Sequence, residues 1–205
     1  QILLIALWCD LFTLIELVHF KPMSRRTVAI AAVLSVLALG SPLITGCTNH
    51  LEGNFYNSGV EKQEKGDYQG AIYDYSKALE IDPENADIYN NRGIAKSNLE
   101  DYQGAISDYN KALEIDPQLA RAYYNRGNVK INLQDYQGAI SDYDKSLEIS
   151  PKDVNAYFNR GLAQNAAKDY QGAIADYDKT LELNPEFARA YYTRGIAKSK
   201  LNDFK

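Results

Sequence analysis

The sequence predicts an all-α protein built from helical hairpins stacked in series, and three sets of residues sharing one period predict it. Asp-Tyr-Gln-Gly-Ala-Ile begins at Asp67, Asp101, Asp135 and Asp169, at one constant interval. Proline recurs at Pro83, Pro117, Pro151 and Pro185, and Arg-Gly at Arg92-Gly93, Arg126-Gly127, Arg160-Gly161 and Arg194-Gly195, each at that same interval. Self-similarity at a fixed period of this length marks a repeat architecture in which each unit is one supersecondary element.

Each unit reads as two helices. In the unit 86–119, Tyr89, Gly93 and Lys96 recur at helical spacing, which predicts a first helix over 86–99. Asp101 offers a side-chain oxygen as N-cap for a second helix over 102–115. Pro117 lacks an N–H and drives its predecessor out of the helical region, so it ends that helix. Helices of ~20 Å do not persist alone in water, so neighbouring units must cover each other's apolar faces. Gly59, Gly93, Gly127, Gly161 and Gly195 on the first helices are expected to face Ala71, Ala105, Ala139 and Ala173 on the second, allowing close approach. Tyr68, Tyr102, Tyr136 and Tyr170, with Tyr75, Tyr109, Tyr143 and Tyr177, supply bulk around the crossing. An aromatic stripe at helical spacing reads as core rather than as a ligand box.

This pattern resembles the tetratricopeptide repeat (TPR) family. The resemblance implies a right-handed superhelical solenoid of repeats at 52–85, 86–119, 120–153 and 154–187, with a fifth, incomplete repeat at 188–205. The sequence departs from the family at Arg92, Arg126, Arg160 and Arg194, where a large apolar residue is usual, and at Lys62, Lys96, Lys130 and Lys198, where a bulky one is. The first repeat, with Ser58 at the arginine position and Gly53 near its start, is the weakest match, as expected of a terminal unit. The chain ends where the second helix of the fifth repeat should begin, which reads as an incomplete chain with an uncovered apolar face.

Arginine at a helix junction requires a partner. Asp74, Asp108, Asp142 and Asp176 also recur with the period of the repeat. Pairing within a repeat sets Asp74 against Ser58 and leaves Arg194 with nothing. Pairing across the junction gives Asp74–Arg92, Asp108–Arg126, Asp142–Arg160 and Asp176–Arg194, so a structural, inter-repeat ion-pair ladder is expected. Gly70, Gly104, Gly138 and Gly172 open the second helices at a cost in helix propensity that the sequence alone does not account for.

The N-terminal part has a different character. Residues 1–47 hold five charged side chains, Asp10, Glu16, Lys21, Arg25 and Arg26. From Met23, the basic Ser24-Arg25-Arg26, the apolar run 28–39 and the break at Gly40-Ser41-Pro42 form the layout of a secretory signal. The run is shorter than the ~20 residues that span a bilayer. Leu43-Ile44-Thr45-Gly46-Cys47 resembles a bacterial lipobox. That resemblance implies a lipidated Cys47 as the mature first residue, a signal peptide or membrane anchor over 23–46, and a short tether over 47–51. An uncleaved inner-membrane anchor or an ordinary signal peptide remains open. Residues 1–22, apolar but carrying Asp10 and Glu16 and preceding the single methionine, read as upstream, non-native sequence or as a membrane-associated segment.

Composition narrows function further. From residue 48 onward there are 19 basic and 25 acidic residues, a net charge of −6, which lacks the basic footprint of a nucleic-acid binder. Cys9, Cys47, His19 and His50 all lie outside the repeats, so no zinc site, disulfide or catalytic triad can be assembled within them. No enzyme activity, cofactor or metal is expected. In the family the first helices line the concave side, which implies a groove presenting Tyr56, Asn57, Asn90, Asn91, Tyr124, Asn125, Phe158, Asn159 and Tyr192, with Thr193 beside them. An asparagine ladder can bond an extended peptide backbone through its amide donors and acceptors, and aromatics add apolar area. Arg121 and Arg189 are placed to hold an acidic side chain or a terminal carboxylate. The carboxylate clamp that some family members use on heat-shock chaperones is not expected, because Tyr56, Asn90, Tyr124 and Phe158 stand at the positions read as its lysines. The expected function is a non-enzymatic scaffold for protein or peptide partners, exported and membrane-tethered on the extracytoplasmic face, with envelope proteins as partners. The alternative is the adaptor portion of a longer chain whose remainder is catalytic or regulatory.

Overall fold

The computed structural model describes residues 43–203, with side-chain surroundings from 53 to 202. The expected upstream segment, 1–22, lies outside the described residues, as does the expected signal up to residue 42. The described residues form nine helices and no strand: α1 (Leu43–Glu64), α2 (Tyr68–Ile81), α3 (Ala86–Asn98), α4 (Tyr102–Ile115), α5 (Ala120–Asn132), α6 (Tyr136–Ile149), α7 (Val154–Ala166), α8 (Tyr170–Leu183) and α9 (Ala188–Asp203). The backbone over 47–51, read from the sequence as a tether, is helical and continuous with α1. No helix among the described residues is long and apolar enough to cross a membrane. Helices α3/α4, α5/α6 and α7/α8 pack as hairpins, and each second helix also packs on the next first helix, which makes residues 52–203 an all-α solenoid of stacked repeats.

One aspartate joins the two helices of each repeat. The N–H groups of Asp67, Asp101, Asp135 and Asp169 donate to the carbonyls of Lys62, Lys96, Lys130 and Gln164 at 2.8–3.0 Å, closing the first helix. Their carboxylates accept from the N–H of Gly70, Gly104, Gly138 and Gly172 at 2.9–3.0 Å, opening the second. A Cβ on any of those four glycines would lie only 2.0–2.4 Å from Oδ2 of the capping aspartate, which explains why the position carries no side chain. The residue before each aspartate is left-handed: Gly66 at φ 80°, Glu100 at 63°, Gln134 at 62° and Lys168 at 67°.

The hairpins close on a buried ring set against the first-helix glycine. Tyr75, Tyr109, Tyr143 and Tyr177 are at most 1% exposed, and a Cβ on Gly59, Gly93, Gly127 or Gly161 would meet their Cε1 atoms at 2.7–2.9 Å. Ala71, Ala105, Ala139 and Ala173 are fully buried in the surrounding clusters. Tyr56, Tyr124 and Phe158 tilt against these tyrosines with ring centroids 5.8–6.1 Å apart. Burial pushes the phenols of Tyr75 and Tyr177 up to about 12, and raises Tyr109 and Tyr143 as well.

The expected pairing of aspartate and arginine across the junction is overturned. Arg92 donates through Nε and Nη2 to Asp108 at 2.9 and 2.7 Å, Arg126 to Asp142 at 2.9 and 2.5 Å, and Arg160 to Asp176 at 2.7 and 2.6 Å, all within one repeat. Lysine adds a second cation to the same carboxylates, Lys96 to Asp108 at 2.8 Å and Lys130 to Asp142 at 2.7 Å. Asp74 is not abandoned for want of an arginine, because the Ser58 hydroxyl donates to it at 2.6 Å and Lys62 lies at 2.7 Å. Each guanidinium still crosses the junction, but through Nη1 and to a different residue. Arg92 reaches Ser76 at 3.1 Å, Arg126 reaches Asn110 at 2.6 Å, Arg160 reaches Asp144 at 2.6 Å, and Arg194 reaches Asp178. The flat faces stack on tyrosine three residues earlier, with Arg92, Arg126, Arg160 and Arg194 5.4–5.5 Å above Tyr89, Tyr123, Tyr157 and Tyr191. The Asp176 bond holds the Arg160 guanidinium protonated well beyond its ordinary range. In this repeat Gln164 stands at the lysine position, and its buried Oε1 has no hydrogen-bond partner among the described residues.

Gly93→Ala should lower stability by ~1–2 kcal/mol, because crowding a buried ring outweighs the gain in helix propensity. Gly195→Ala, with nothing among the described residues within 4 Å of its Cβ position, should raise stability by up to about 1 kcal/mol. Urea midpoints of the two variants moving in the same direction would contradict the ring-in-slot account. The raised phenol pKa values have a definite sign. An unfolded tyrosine ionises near pH ~10 while the buried ones stay neutral. Stability is therefore complete below that pH and declines as pH rises toward 12 through the value for Tyr75. Tyr75→Phe should flatten the decline, as measured by urea titration at a series of alkaline pH values. Arg126→Met strips Asp142 of its bidentate partner but leaves Lys130, and should cost about 2 kcal/mol. Gln164→Lys should add about 1 kcal/mol by giving Asp176 a second cation. High salt should shrink the lysine gain, and an unchanged midpoint at low salt would refute the two-cation reading.

Candidate binding surface

Curvature follows from which helices touch. Among the described residues, successive first helices α3, α5, α7 and α9 contact one another directly, whereas successive second helices are not in comparable contact. The first helices therefore form the inner row of the stack, and the residues they expose line its concave side.

That side is more self-satisfied than the sequence suggests. Asn91 donates from Nδ2 to the Tyr56 hydroxyl at 3.1 Å, and Asn125 donates to Asn90 Oδ1 at 3.0 Å. Asn159 donates to the Tyr124 hydroxyl and to Asn128 Oδ1, both at 3.0 Å, and the Tyr143 hydroxyl donates to the same Asn128 oxygen at 2.6 Å. Apart from the Tyr143 bond, which stays within one repeat, these bonds run from one repeat to the next. Asn128, absent from the expected groove set, is the hub of the second cluster. Its signal in the sequence is a polar residue where Val60, Ile94, Leu162 and Ile196 occupy the equivalent position.

Two expected groove residues belong to the interior. Asn90 is 1% exposed and Phe158 is 3% exposed, so neither presents a surface to a ligand. Phe158 packs on the second-helix Tyr177, and the Asn90 amide oxygen accepts from Asn125. Tyr56, Tyr124, Asn91, Asn125 and Asn159 are half-buried, while Asn57, Arg121, Arg189 and Tyr192 are exposed. Burial raises the Tyr124 phenol, with the amides of Asn128 and Asn159 acting in the opposite direction.

The two arginines differ in what holds them. Arg121 forms an ion pair with Asp87 of the preceding repeat. It also borders a cleft of about 380 Å³ lined by Leu119, Tyr124, Ile149 and Asp153. The Asp153 carboxylate is itself committed to capping α7 through the N–H groups of Asn155 and Ala156. Arg189 lies 5.2 Å over the Phe158 ring, which in turn packs 4.9 Å from Phe187, and no carboxylate among the described residues pairs with it. No group of histidine, cysteine or carboxylate side chains able to hold a metal ion occurs among the described residues.

A family model described as a TPR repeat matches residues 62–100 and 98–133, and one described as a tetratricopeptide repeat matches 120–153 and 154–187. No curated protein matches the chain. Among solved structures, the MamA protein is similar with a TM-score of 0.70 and 28% identity, over 75% of this chain and 84% of that one. The first TPR of Spaghetti (RPAP3), bound to an HSP90 peptide, is similar with a TM-score of 0.56 and 28% identity, over 58% of this chain and 94% of its own. YrrB, described as a TPR protein with an unusual peptide-binding site, shares the fold with a TM-score of 0.64 and 23% identity, over 72% of this chain and 76% of its own. With hairpin after hairpin closed in the same way and family matches running from 62 to 187, more than half its length, the chain belongs to the tetratricopeptide repeat family.

Proposed function

We propose that this chain is a non-enzymatic interaction scaffold whose concave side binds an extended peptide bearing an acidic group, with the scaffold tethered to a membrane through a lipid on Cys47. The observation that carries the peptide reading is the difference between the two arginines. Arg189 is exposed, stacked over Phe158 and without a carboxylate partner among the described residues, whereas Arg121 is paired with Asp87. A guanidinium held against a ring loses little freedom on binding and keeps its edge donors for a carboxylate. The half-buried amides of Asn125 and Asn159 supply acceptors along the path, and exposed Asn57 extends it. The likeness to the Spaghetti TPR, a domain bound to a peptide, supports a peptide as the class of partner. The tether rests on the lipobox-like 43–47 and the basic and apolar segments before it, and it favours partners in the bacterial envelope.

An array of random octapeptides, synthesised with free and with amidated C-termini, tests the groove when probed with the labelled chain. Arg189→Gln should weaken binding to acidic peptides roughly fivefold, the loss of ~1 kcal/mol expected for one exposed charged hydrogen bond. Arg121→Gln should change little, and Asp87→Asn should strengthen binding by freeing Arg121. Binding that ignores Arg189→Gln would remove this reading. Incorporation of radiolabelled palmitate that persists after Cys47→Ser would remove the tether.

A further inference from the structure

We propose that the array hinges between its second and third repeats, at the contact of α4 with α5, and moves there as two blocks, 52–119 and 120–203. In a stack of repeats each interface contributes its own share of stability, so the array parts first where an interface is poorest. Three successive interfaces can be compared position by position: α2 with α3, α4 with α5, and α6 with α7.

The arginine bridge changes along the chain. Its acceptor is the hydroxyl of Ser76 at the first interface, the neutral amide of Asn110 at the second and the carboxylate of Asp144 at the third. The first interface compensates for its neutral acceptor with one unbroken apolar cluster, which joins Tyr75 and Leu79 of α2 to Ile88 and Ala95 of α3. The third has the charged bridge and the two bonds that Asn159 gives to Tyr124 and Asn128. The second has neither. Its buried side chains fall into two separate clusters, Tyr109 with Val129 in one and Ala112 with Leu113, Leu119 and Ala122 in the other.

Asn90 deepens the break. Tyr56, Tyr124 and Phe158 hold its position in other repeats, each tilted against the second-helix tyrosine. Asn90, 1% exposed, leaves Tyr109 without such a ring among the described residues and places an amide in the interior. Its oxygen accepts from Asn125, a single neutral bond across the interface. The next helix is also less firmly started. Asn85 and Asp153 cap α3 and α7 through side-chain oxygens, whereas Leu119 gives α5 no side-chain cap. The backbones agree, α4 lying along α5 less closely than α2 along α3 or α6 along α7. The Arg121–Asp87 pair spans the same interface, but both side chains are about half exposed and water screens their attraction.

Opening at this place parts Arg121 from Asp87 and Asn125 from Asn90, because both contacts cross it. The inner row therefore holds these donors while the interface is closed and presents them when it opens. The hinge itself does not depend on what the groove binds.

Tyr73, Ser107, Ser141 and Ala175 are exposed, lie on the second helices and stand at the same place in consecutive repeats, so each adjacent pair reports on one interface. Nitroxide labels test the hinge in the full chain carrying Cys9→Ser and Cys47→Ser. They are attached to Tyr73→Cys with Ser107→Cys, to Ser107→Cys with Ser141→Cys, and to Ser141→Cys with Ala175→Cys. The dipolar distance distribution of the middle pair should be roughly twice as wide as those of the other two. Asn110→Asp supplies the acceptor found at Asp144, and Asn90→Tyr supplies the ring found at Tyr124. Each should narrow the middle distribution to the width of its neighbours. Asn110 is exposed, so the first of these substitutions leaves the core untouched. A middle distribution no wider than the other two overturns the hinge, and so does a wide one that neither substitution narrows.

Discussion

The stack depends on a ring placed where a side chain is missing. A tyrosine on each second helix occupies the volume above a glycine on the first, and this contact sets how near the two helices come. Close approach brings the aspartate that precedes the ring within reach of the arginine that precedes the glycine. The same two sequence steps, Asp-Tyr on one helix and Arg-Gly on the other, thus specify an apolar contact and an ionic one side by side. The apolar contact supplies burial, and the ionic one supplies register, because a bidentate guanidinium tolerates little sliding. In the first repeat, where Ser58 stands in place of the arginine, the Tyr75 ring still fills the space above Gly59.

The charges at this contact are far from water but not isolated. Asp108 and Asp142 each face an arginine and a lysine, and the arginine adds an acceptor in the preceding repeat. Distributing one carboxylate among several donors satisfies its lone pairs and limits the penalty of burial. It also explains how charged residues can stand at a helix junction. The arginine is simultaneously an intra-repeat clamp, an inter-repeat bridge and the lid of a tyrosine ring, so three adhesive functions fall on one side chain.

Much of this was legible in the sequence. The period, the helix pairs, the capping aspartates and the buried tyrosines follow from composition and spacing, because they are properties of a single unit. The ion pairing was not legible in the same way. In a strictly repeating chain the separation of Asp74 from Arg92 recurs as faithfully as that of Arg92 from Asp108, so periodicity cannot choose between them. Counting partners at the ends misled, since Ser58 and Lys62 satisfy Asp74 without any arginine. The groove was blurred for a related reason. Asn90 and Asn91 are neighbours in sequence, yet a step of roughly 100° around the helix sends one into the interior and leaves the other near the surface. The glycines after each capping aspartate became intelligible only with the carboxylate in place above them.

The amides that line the inner row are not idle groups awaiting a guest. Asn91, Asn125 and Asn159 already hold the neighbouring repeat through Tyr56, Asn90 and Tyr124. A molecule that claims the hydrogens already given to these acceptors must take them from a rung of the stack, and one that leaves them alone must read the surface through the remaining amide hydrogens, acceptors and rings. In the first case occupancy loosens the pitch between repeats; in the second it stiffens it. Grip and spring constant are consequently two aspects of a single set of bonds.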